Sequence, residues 1–510
     1  MKMLCTGLGA WSTIEAGQQR THGLTFPLAI VSAVVVEAGF SAPECWEDEV
    51  RHDGPFDVVL LSAMDSRHFW EVPTFLRSAG VPVRAAERGE RDPIVVVGGQ
   101  AASAPAPIEP FVDVVYLGEA EAHLPELLRA IEGDAPRRVR LERAAAVPGC
   151  LVPACKPEGH RWAMVYATDI GITVRVLTSV SHRQNTRIEI ARGCKGPAGV
   201  VSSAGKNVAC GFCALGWRAP YRENSADDVG VALARARALS REVHLSAGDA
   251  EGHSQIEAIR QSAAALDVRD HGWTGRADTI RDCHIDPGKQ YAIGLEGASH
   301  RLRRAVGKPR LTDDYVVERI SAYWAAGGRR LMFHLIGGLP SETANDVACF
   351  GALLDRLADA ARLTGERQHL EVGRQPFGPL PHTPMQWFAP GLTTEQLAPA
   401  IDRHIGGPHL NVVAKTGQAL SAALINSVAM RGGPEVASLL VAGTPRIDEG
   451  RTARFQFARW LQRFGLRPDH YLSRWDINEP TPWDHITTAF PRSEQERAYR
   501  WICNQLGVSP

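Results

Sequence analysis

The sequence predicts an α/β protein in three parts: a doubly wound parallel sheet, a partial (β/α) barrel and a mostly helical last part. With 510 residues, 44% of them hydrophobic, the chain can bury more than one core, and this length suggests about three domains. Short Val, Ile and Leu runs alternate with amphipathic helical segments near the start of the chain and again in its middle. Helical periodicity takes over in the last part.

Composition and charge give no support to several classes of protein. A net charge of -1 gives none of the basic excess that marks nucleic-acid binders. Ten cysteines in a chain of this size are too few for a disulfide scaffold. The sequence has no stretch of the roughly 18 uninterrupted apolar residues that a membrane-spanning helix needs. We therefore expect a soluble cytoplasmic protein with reduced thiols and no membrane partner.

Residues 1–140 are predicted to form the doubly wound, Rossmann-like domain. The apolar runs MLCTGLGA, DVVLLSAM, PIVVVGGQ and DVVYLG are typical of buried parallel strands, with helical segments between them. Ligands of such sheets bind at the carboxyl ends of the strands. A nucleotide, a flavin or no ligand is equally compatible with the small residues there, since glycines are also needed simply to turn the chain. These small residues are Gly7, Gly9, Ser62, Ala63, Gly98, Gly99 and Gly118.

Residues 141–185 are predicted to connect two domains. β-branched residues alternate there and are interrupted by Pro and Gly, which is typical of a pair of strands. Cys150 and Cys155 lie in this connector. We interpret them as structural or incidental residues rather than as ligands of a second metal.

Residues 186–385 alternate strands with helices of ten or more residues, which predicts parallel βα units and a partial TIM-type barrel. The loops after the strands carry the chemistry of such barrels. Each charged residue in these loops is either a candidate for the site or a solvated or salt-bridged loop charge. The residues concerned are Asp249, Glu251, Arg276, Asp278, Glu296 and Glu342.

The most specific motif of the chain is a set of three cysteines at the start of this barrel. Cys194 is followed, after fifteen residues, by Cys210 and Cys213, which form a CxxC pair. Cysteines at the CxxC spacing can turn both thiolates toward one metal centre, and a third from a Gly-rich segment can complete three corners. Three thiolates on a 4Fe-4S cluster leave one iron free, whereas a structural zinc site would want a fourth Cys or His. On spacing alone, a zinc knuckle or unpaired thiols are alternatives.

The flanking sequences RIEIARGC and GFC resemble the cluster-binding loop of the radical S-adenosylmethionine (SAM) enzymes. This resemblance implies a 4Fe-4S cluster on the three cysteines, whose free iron chelates SAM. The usual spacing in the family is three residues and then two, but here the insert PAGVVSSAGKNVA separates Cys194 from the CxxC pair. The ends of the insert can still meet, because each doubling of loop length costs only about 0.6 kcal/mol.

The resemblance also assigns residues to SAM. The segments IGLEGASHRLRRAVGK and LIGGLPSET match strands and loops that approach SAM in the family. Arg276 is a candidate partner for the SAM carboxylate, because guanidinium and carboxylate pair in bidentate fashion. Arg301 faces the same region by analogy, although Arg301, Arg303 and Arg304 are better explained as salt-bridge or surface residues. The implied SAM-binding residues are Phe212, Gly248, Asp249, Glu251, Arg276 and Glu296.

The segments VVLLSAM, VPTFLRSAG and PIVVVGGQAASAPAPIEPFVDVVYLGEAE resemble the cobalamin-binding domain of one branch of the radical SAM superfamily. In that branch the loops after the strands hold the corrin ring and its nucleotide tail. The DxHxxG motif is absent, so the resemblance implies a cobalt whose lower face lacks such a histidine. His68 could still ligate cobalt, and Arg67 or Trp70 could cap that face. The implied cobalamin-binding residues are Gly7, Gly9, Ser62, Ala63, Met64, Gly98, Gly99, Gln100, Gly118 and Glu119.

Residues 386–510 are predicted to form a mostly helical domain, with SAALINSVAMRGGPEVASLLVAG and RTARFQFARWLQRFGL as amphipathic runs. PHTPMQW resembles the exit segment of related radical SAM proteins, and WDINEPTPWDHI resembles the tail of a subgroup of the cobalamin-binding type. We interpret the aromatic residues of this region as a core, with a domain that covers the barrel mouth as the alternative. These residues are Phe377, His382, Trp387, Trp475, Trp483 and His485.

The sequence as a whole predicts a cobalamin-dependent radical SAM enzyme that methylates an unactivated carbon, with a 4Fe-4S cluster, SAM and cobalamin as cofactors. It would need an external electron donor, and its substrate could be a small molecule, a peptide or an RNA. One alternative is a radical SAM enzyme that catalyses a rearrangement or cyclisation instead. The other is a zinc-stabilised adaptor or nucleic-acid modification factor.

Overall fold

The computed structural model describes residues 1–8, 26–45, 54–175, 178–179, 186–196, 200–201, 207–270, 274–275, 290–415, 419–448, 450 and 452–510. Three residues singled out in the sequence, Gly9, Arg276 and Asp278, lie outside these ranges. Among the helices within them, none combines the length and apolarity needed to cross a membrane.

The N-terminal part of the chain forms a six-stranded sheet with four helices. The strands are β1 (Met3–Gly7), β2 (Glu44–Cys45), β3 (Val58–Ser62), β4 (Ile94–Gly98), β5 (Val114–Tyr116) and β6 (Cys150–Leu151). The helices are α1 (Phe26–Glu37), α2 (Val72–Ser78), α3 (Ala120–Ile131) and α4 (Arg137–Ala145).

The strand order of this sheet is that of a doubly wound domain. It runs β2-β1-β3-β4-β5-β6, and all neighbours are parallel except β5 and β6. This order places a topological switch point between β1 and β3, where such sheets bind ligands. Every residue of β1 and β3 is buried, which explains their unbroken apolar runs. The α/β class predicted for this part of the chain is confirmed.

Different parts of the chain cover the two faces of this sheet. One face packs against α1, α3 and α4 through residues such as Val34 and Leu128. The other face packs against α2 and a 3-10 helix, Ser66–Glu71.

Residues from the last hundred positions complete that second face. Leu424, Val428 and Trp460 belong to the same buried core as Phe69 and Trp70. The ring centroids of Trp70 and Trp460 are 5.9 Å apart. The N-terminal sheet therefore depends on the end of the chain for half of its core.

A buried carboxylate ties the N-terminal sheet to two of its loops. Asp113 is only 4% exposed, and its Oδ2 accepts from Arg88 Nη1 at 2.7 Å and from the backbone N–H of Val95 at 2.8 Å. Its Oδ1 lies 2.7 Å from Nη2 of Arg137. Both oxygens are thus satisfied by charged or backbone donors, as a buried charge requires.

The described part of the connector contains three short strands, where the sequence predicted a pair, and each of them pairs with a strand outside the connector. β6 joins the N-terminal sheet beside β5, whereas β7 (Trp162–Ala163) pairs in parallel with residues Ile486–Thr487. Each strand thus satisfies its backbone against a different neighbour. Cys150 is buried in β6, and burial raises its pKa to about 12, which agrees with a structural role.

The middle of the chain repeats strands and helices. The strands are β8 (Thr178–Ser179), β9 (Thr186–Glu189), β10 (Ala191–Arg192), β11 (Val200–Val201), β12 (Asn207–Val208), β13 (Arg222–Glu223), β14 (Glu242–Ser246), β15 (Arg269–Asp270), β16 (Thr274–Gly275), β17 (Gln290–Glu296), β18 (Arg330–Gly337), β19 (Gln368–Pro376) and β20 (Leu410–Ala414). The helices are α5 (Ile172–Arg175), α6 (Ala214–Arg218), α7 (Ala226–Leu239), α8 (Ile256–Ala265), α9 (His300–Ala305), α10 (Asp313–Ala325), α11 (Ala344–Leu363) and α12 (Ala398–Asp402).

Nine of these strands form two sheets that follow one another along the chain, and the other four form two antiparallel pairs, β10 with β13 and β11 with β12. The first sheet has the order β15-β14-β9-β8 and the second sheet the order β16-β17-β18-β19-β20. All neighbours in the two sheets are parallel except β8 and β9, as expected for the βα units of a partial TIM-type barrel. The second sheet extends past residue 385, where the sequence suggested that the barrel ends, because β20 pairs with β19.

The last part of the chain is mostly helical, as predicted. It contains α13 (Leu420–Arg431), α14 (Ala437–Ala442), α15 (Ala453–Gln462), α16 (Pro468–Leu472), β21 (Ile486–Thr487) and α17 (Arg492–Leu506). The core interpretation of the aromatic residues holds for Phe377 and Trp387, which are buried in the core of the second barrel sheet together with Tyr499 and Ile502 of α17.

His382 anchors the segment that leaves the barrel to the N-terminal domain. Its Nε2 donates to the carbonyl oxygen of Ser103 at 2.8 Å, so Nε2 carries the proton. Its backbone N–H donates to Oε1 of Gln386. Burial, followed by the charges of Arg218 and His485, lowers the pKa of His382 to about 3. The imidazole is therefore neutral near pH 7.

Removing the buried carboxylate of Asp113 should strongly destabilise the protein. Asp113→Ala leaves the guanidinium groups of Arg88 and Arg137 without their shared partner, and breaking a buried pair costs about 3–5 kcal/mol. Glu142→Ala is the control, because Glu142 forms only an exposed pair with Arg138 and should cost less than about 0.5 kcal/mol. Denaturant unfolding measures both. Equal losses for the two variants would contradict the role of Asp113.

Acid should destabilise the protein partly through His382. Because the pKa of His382 is lowered on folding, the unfolded chain binds more protons, and stability falls as the pH drops from about 6.5 towards about 3. His382→Gln removes this titration, so its free energy of unfolding should fall less steeply over that window. Unfolding curves at pH 7.5, 6, 5 and 4, conditions chosen to span it, test the slope. Parallel pH profiles for the two proteins would refute this assignment.

Candidate functional site

A cavity of about 460 Å³ lies between the N-terminal sheet and the first barrel sheet. Its N-terminal wall is formed by the carboxyl ends of β3, β4 and β5. Its opposite wall is formed by the carboxyl ends of β9 and β14 and by α6. Carboxyl ends of parallel strands are where both kinds of domain bind their ligands, and here the two edges face one another. Its volume is typical of a site for a small molecule or cofactor.

Most of the residues that the sequence assigned to cobalamin line this cavity. They are Ser62, Met64, Gly98, Gly99, Gln100, Gly118 and Glu119. Ala63 is fully buried, and neither it nor Gly7, at the end of β1, is among the lining residues. Gly9 lies outside the described residues. The sequence thus located one wall of the cavity from the ends of the strands.

Two of the glycines in this wall are required by contacts within the protein. Gly99 has φ +99°, and a Cβ there would lie 2.5 Å from the carbonyl oxygen of Ala63. Gly118 has φ +135°, and a Cβ there would lie 2.1 Å from the carbonyl oxygen of Val165. Both glycines therefore allow close packing of the loops, which the sequence could not distinguish from close approach of a ligand.

The residues considered for the lower face of cobalt do not line the described cavity. His68 accepts at Nδ1 from the backbone N–H of Met64 at 3.2 Å, which closes the turn after β3. Arg67 pairs with Asp65 at 3.0 Å. Trp70 packs in the core shared with the C-terminal helices. Among these neighbours, Met64 is the side chain that contributes to the cavity wall.

The CxxC pair sits at the start of α6. Cys213 is the residue before the helix, and its backbone N–H donates to the carbonyl oxygen of Cys210 at 3.0 Å. Cys194 lies against the same helix, since a Cβ on Gly216 would lie 3.3 Å from the Cβ of Cys194. The insert between them includes the antiparallel pair β11 and β12, which brings its two ends together. The remaining insert residues, 197–199 and 202–206, lie outside the described residues.

The three thiols influence one another electrostatically. Burial raises the pKa of Cys210 to about 12 and also raises that of Cys213. The charge of Cys194 adds to the increase at both residues, so the three lie within electrostatic range. Within the described ranges, however, no three His, Cys, Asp or Glu side chains are arranged to hold a metal ion.

The C-terminal domain supports the cysteine loop from outside. A Cβ on Gly211, between the two cysteines, would lie 2.5 Å from Cδ1 of Ile502 in α17. The backbone N–H of Met385 donates to the carbonyl oxygen of Gly211 at 3.0 Å. Trp217 of α6 packs edge-on against Phe490, with ring centroids 5.3 Å apart. The last domain therefore covers the loop that carries the thiols.

The residues assigned to SAM fall into different environments. Gly248 lines the cavity and packs closely on the cysteine loop, since a Cβ there would lie 2.9 Å from the carbonyl oxygen of Gly193. Asp249 caps the short helix that follows, accepting from the backbone N–H of Gly252. Glu251 is 3% exposed and forms an ion pair with Arg260, which gives it a structural role. Their shared position after β14 agrees with the βα pattern.

Glu296 lies close to the thiols, together with a lysine that the sequence did not single out. The carboxylate pairs with Nζ of Lys308 at 2.9 Å, and this Nζ also donates to the carbonyl oxygen of Gly294 at 2.6 Å. Lys308 lowers the pKa of Cys210, whereas Glu296 raises it. Phe212, also assigned to SAM, packs against the core of the second barrel sheet.

The remaining charged residues named from the sequence have structural partners. Arg301 pairs with Asp346 at 2.6 Å, and the fully buried Arg303 pairs with Asp313. Burial raises the pKa of Glu342, which accepts from the backbone N–H of Leu339. The salt-bridge explanation of Arg301 and Arg303 is therefore the one that the contacts support.

An ion network joins the two walls of the cavity. Glu119, after β5, pairs with Arg222 at 2.5 Å and with Arg192 at 3.4 Å. Arg192 also pairs with Glu121 at 2.7 Å and with Glu189 at 2.8 Å. Burial alone would lower the pKa of Arg192, but the side chains of Glu189 and Glu121 raise it overall. Glu119, assigned to cobalamin from the sequence, thus holds the two domains together.

The sequence reasoning also missed Arg218, at the end of α6. Its guanidinium donates to the carbonyl oxygens of Gln100 and Pro381, each at 2.9 Å, and it lines the cavity. It therefore ties the cysteine helix to the N-terminal wall and to the segment that leaves the barrel. Its position five residues after Cys213 was the available signal, but nothing in the sequence identifies partners more than a hundred residues away.

Comparison with known proteins gives a match to a family and matches to several chains of solved structures. Residues 47–153 match the family described as "Radical SAM proteins, N-terminal". The structure of the apo, selenomethionine-labelled cobalamin-dependent S-adenosylmethionine radical enzyme OxsB is 12% identical, with a TM-score of 0.39, over 99% of this chain and 67% of that chain. A similarity of that score carries no argument about this chain.

No curated protein has a matching sequence. The family match confirms the radical SAM resemblance of the sequence independently of the cysteine motif, which lies outside residues 47–153. The chain carries, over those residues, the N-terminal domain of radical SAM proteins.

Proposed function

We propose that this protein is a cobalamin-dependent radical SAM enzyme that methylates an unactivated carbon. The observation that carries the proposal is the shared cavity, in which the carboxyl edges of a doubly wound sheet and a βα barrel face one another beside α6. A reaction that combines two cofactors needs such an arrangement, because both must reach one substrate.

Cys194, Cys210 and Cys213 would hold the 4Fe-4S cluster. Their donor set consists of thiols alone, which suits an iron-sulfur cluster. Each thiolate of a four-iron cluster binds a different iron, so its ligands are spaced more widely than those of a single zinc ion. The electrostatic influence of Cys194 on Cys210 and Cys213 supports a site that all three thiols share. The cluster would supply the electron that cleaves SAM.

SAM would lie between the cysteine loop and the ends of β14 and β17. Gly248 packs directly against the cysteine loop, and Glu296 and Lys308 are within electrostatic range of Cys210. Glu296 has φ +66°, and the pairing of β17 with β18 shifts register between Gly294 and Glu296. Such a bulge bends the strand and changes the direction of the side chains at its end. The pair Glu296–Lys308 offers one acceptor and one donor to the polar amino-acid end of SAM.

Cobalamin would occupy the cavity against the ends of β3, β4 and β5. The wall there is mostly small and apolar, with Ser62, Gly98 and Gln100 offering backbone or side-chain polar groups. Cobalamin would supply the methyl group to be transferred. The residues of this chain position the cofactors and exclude water, with the C-terminal domain covering the cysteine loop from outside.

The three thiols should be necessary for iron binding. In protein reconstituted anaerobically with iron and sulfide, Cys194→Ser, Cys210→Ser and Cys213→Ser should each lose most of the bound iron and the absorbance near 400 nm, because each removes a cluster ligand. Cys155→Ser is the matched control, since Cys155 is a partly exposed thiol of the connector. Zinc in place of iron in the wild-type protein would contradict the cluster assignment, as would full iron content in Cys194→Ser.

The reaction should yield two products of SAM. Reconstituted protein given cobalamin, SAM and a chemical reductant in place of its electron donor should form both 5'-deoxyadenosine and S-adenosylhomocysteine, detected by mass spectrometry. Both products are expected if SAM acts as radical source and as methyl donor to the cofactor. Deoxyadenosine alone, in protein that retains cobalamin, would instead indicate a rearrangement or cyclisation. If neither 5'-deoxyadenosine nor S-adenosylhomocysteine forms, the proposed function is overturned.

A further inference from the structure

Two arginines in the cavity wall have no carboxylate partner. Arg187, in β9, has its guanidinium over the ring of Phe26 at 5.6 Å, and no acidic side chain of the described residues contacts it. Arg218 contacts only the carbonyl oxygens of Pro381 and Gln100 among the described residues. The two side chains lie in different elements and border one cavity.

The charge of Arg218 persists although it is buried. Burial lowers the pKa of its guanidinium to about 10, so the group is still protonated near pH 7. A guanidinium has five N–H donors, and Arg218 uses three of them on the two carbonyl oxygens. Asp65 and the thiol of Cys213 act on it only through space. A buried cation needs a counter-charge, and no carboxylate of the described residues contacts this one.

The three carboxylates that also line the cavity are already in contact with two other guanidinium groups. Glu119, Glu121 and Glu189 are all in contact with Arg192, and Glu119 also pairs with Arg222. They are therefore not free to compensate Arg187 or Arg218. An anionic ligand bound in the cavity would place a negative charge directly beside these two guanidinium groups.

We infer that the cavity binds its ligand through an anionic oxygen group, a phosphate or a carboxylate, held by Arg218 and Arg187. Guanidinium groups pair with both anions in bidentate fashion. This inference rests on the proposed function for the identity of the ligand, since cobalamin carries a phosphodiester in its nucleotide tail and SAM carries a carboxylate. The anion site itself is a property of this chain's own residues.

Binding measurements on the full chain with matched ligands test the inference. Affinities would be measured by titration calorimetry for cobalamin against cobinamide, which lacks the phosphodiester tail, and for SAM against decarboxylated SAM. Inorganic pyrophosphate serves as a probe that requires neither cofactor. The variants are Arg218→Gln and Arg187→Gln, with Arg463→Gln, an exposed arginine at the end of α15, as the control. Because Arg187 is only half-buried and makes no ion pair in the described structure, its variant should fold even if Arg218→Gln does not.

Both variants should bind pyrophosphate about tenfold or more weakly than wild type, the loss typical of one charged hydrogen bond. If the phosphodiester is the anion, the variants lose as much affinity for cobalamin as they lose for pyrophosphate, and their affinity for cobinamide is unchanged. If it is the carboxylate, SAM affinity falls and that of decarboxylated SAM is unchanged. Equal losses for both members of each pair, or wild-type affinities throughout, would overturn the inference. A wild-type protein that binds pyrophosphate but neither cofactor would refute the proposed function and leave the anion site standing.

Discussion

The ion network around Glu119 and Arg192 is the constraint on which the cavity depends. Its carboxylates come from the start of α3 in the N-terminal domain and from β9, and its guanidinium groups come from β10 and β13. Burying these charges costs several kcal/mol per ion, and this cost is recovered only when every partner is in place. The network therefore favours one relative position of the two domains, in which the two strand edges face each other. The resulting cavity is what the two domains share.

The fold of the individual domains could be predicted from the sequence because each strand or helix is indicated by residues within that element. The unbroken Val and Leu runs of β3 and β4 are buried on both faces, and the strands end where small residues begin. Gly98 and Gly118 were expected at a ligand-binding edge from that pattern, whereas Gln100 was implied only by the family resemblance, and all three line the cavity. The helical character of the last part followed in the same way from its periodicity.

What the sequence could not predict depends on contacts between distant residues. Arg218 and Lys308 carry no pattern of their own, and their positions relative to the thiols arise only in the folded protein, where the cysteine loop hydrogen-bonds to the segment after α9. Glu119 matched a cofactor-binding segment, yet its carboxylate pairs with arginines of the other domain. Nor does the amphipathic run around Leu424 indicate which surface it covers. It completes the N-terminal sheet, whereas the sequence suggested only a core or a cover for the barrel.

The core that the N-terminal sheet shares with the C-terminal helices determines when this sheet can finish folding during synthesis. Phe69 and Trp70 leave the ribosome long before Leu424 and Trp460 are synthesised, so one face of the first sheet is exposed to solvent during most of translation. The earliest domain to emerge is thus among the last to be completed. Loading of a cofactor into a pocket that this sheet helps to form would then have to wait until the final helices have docked.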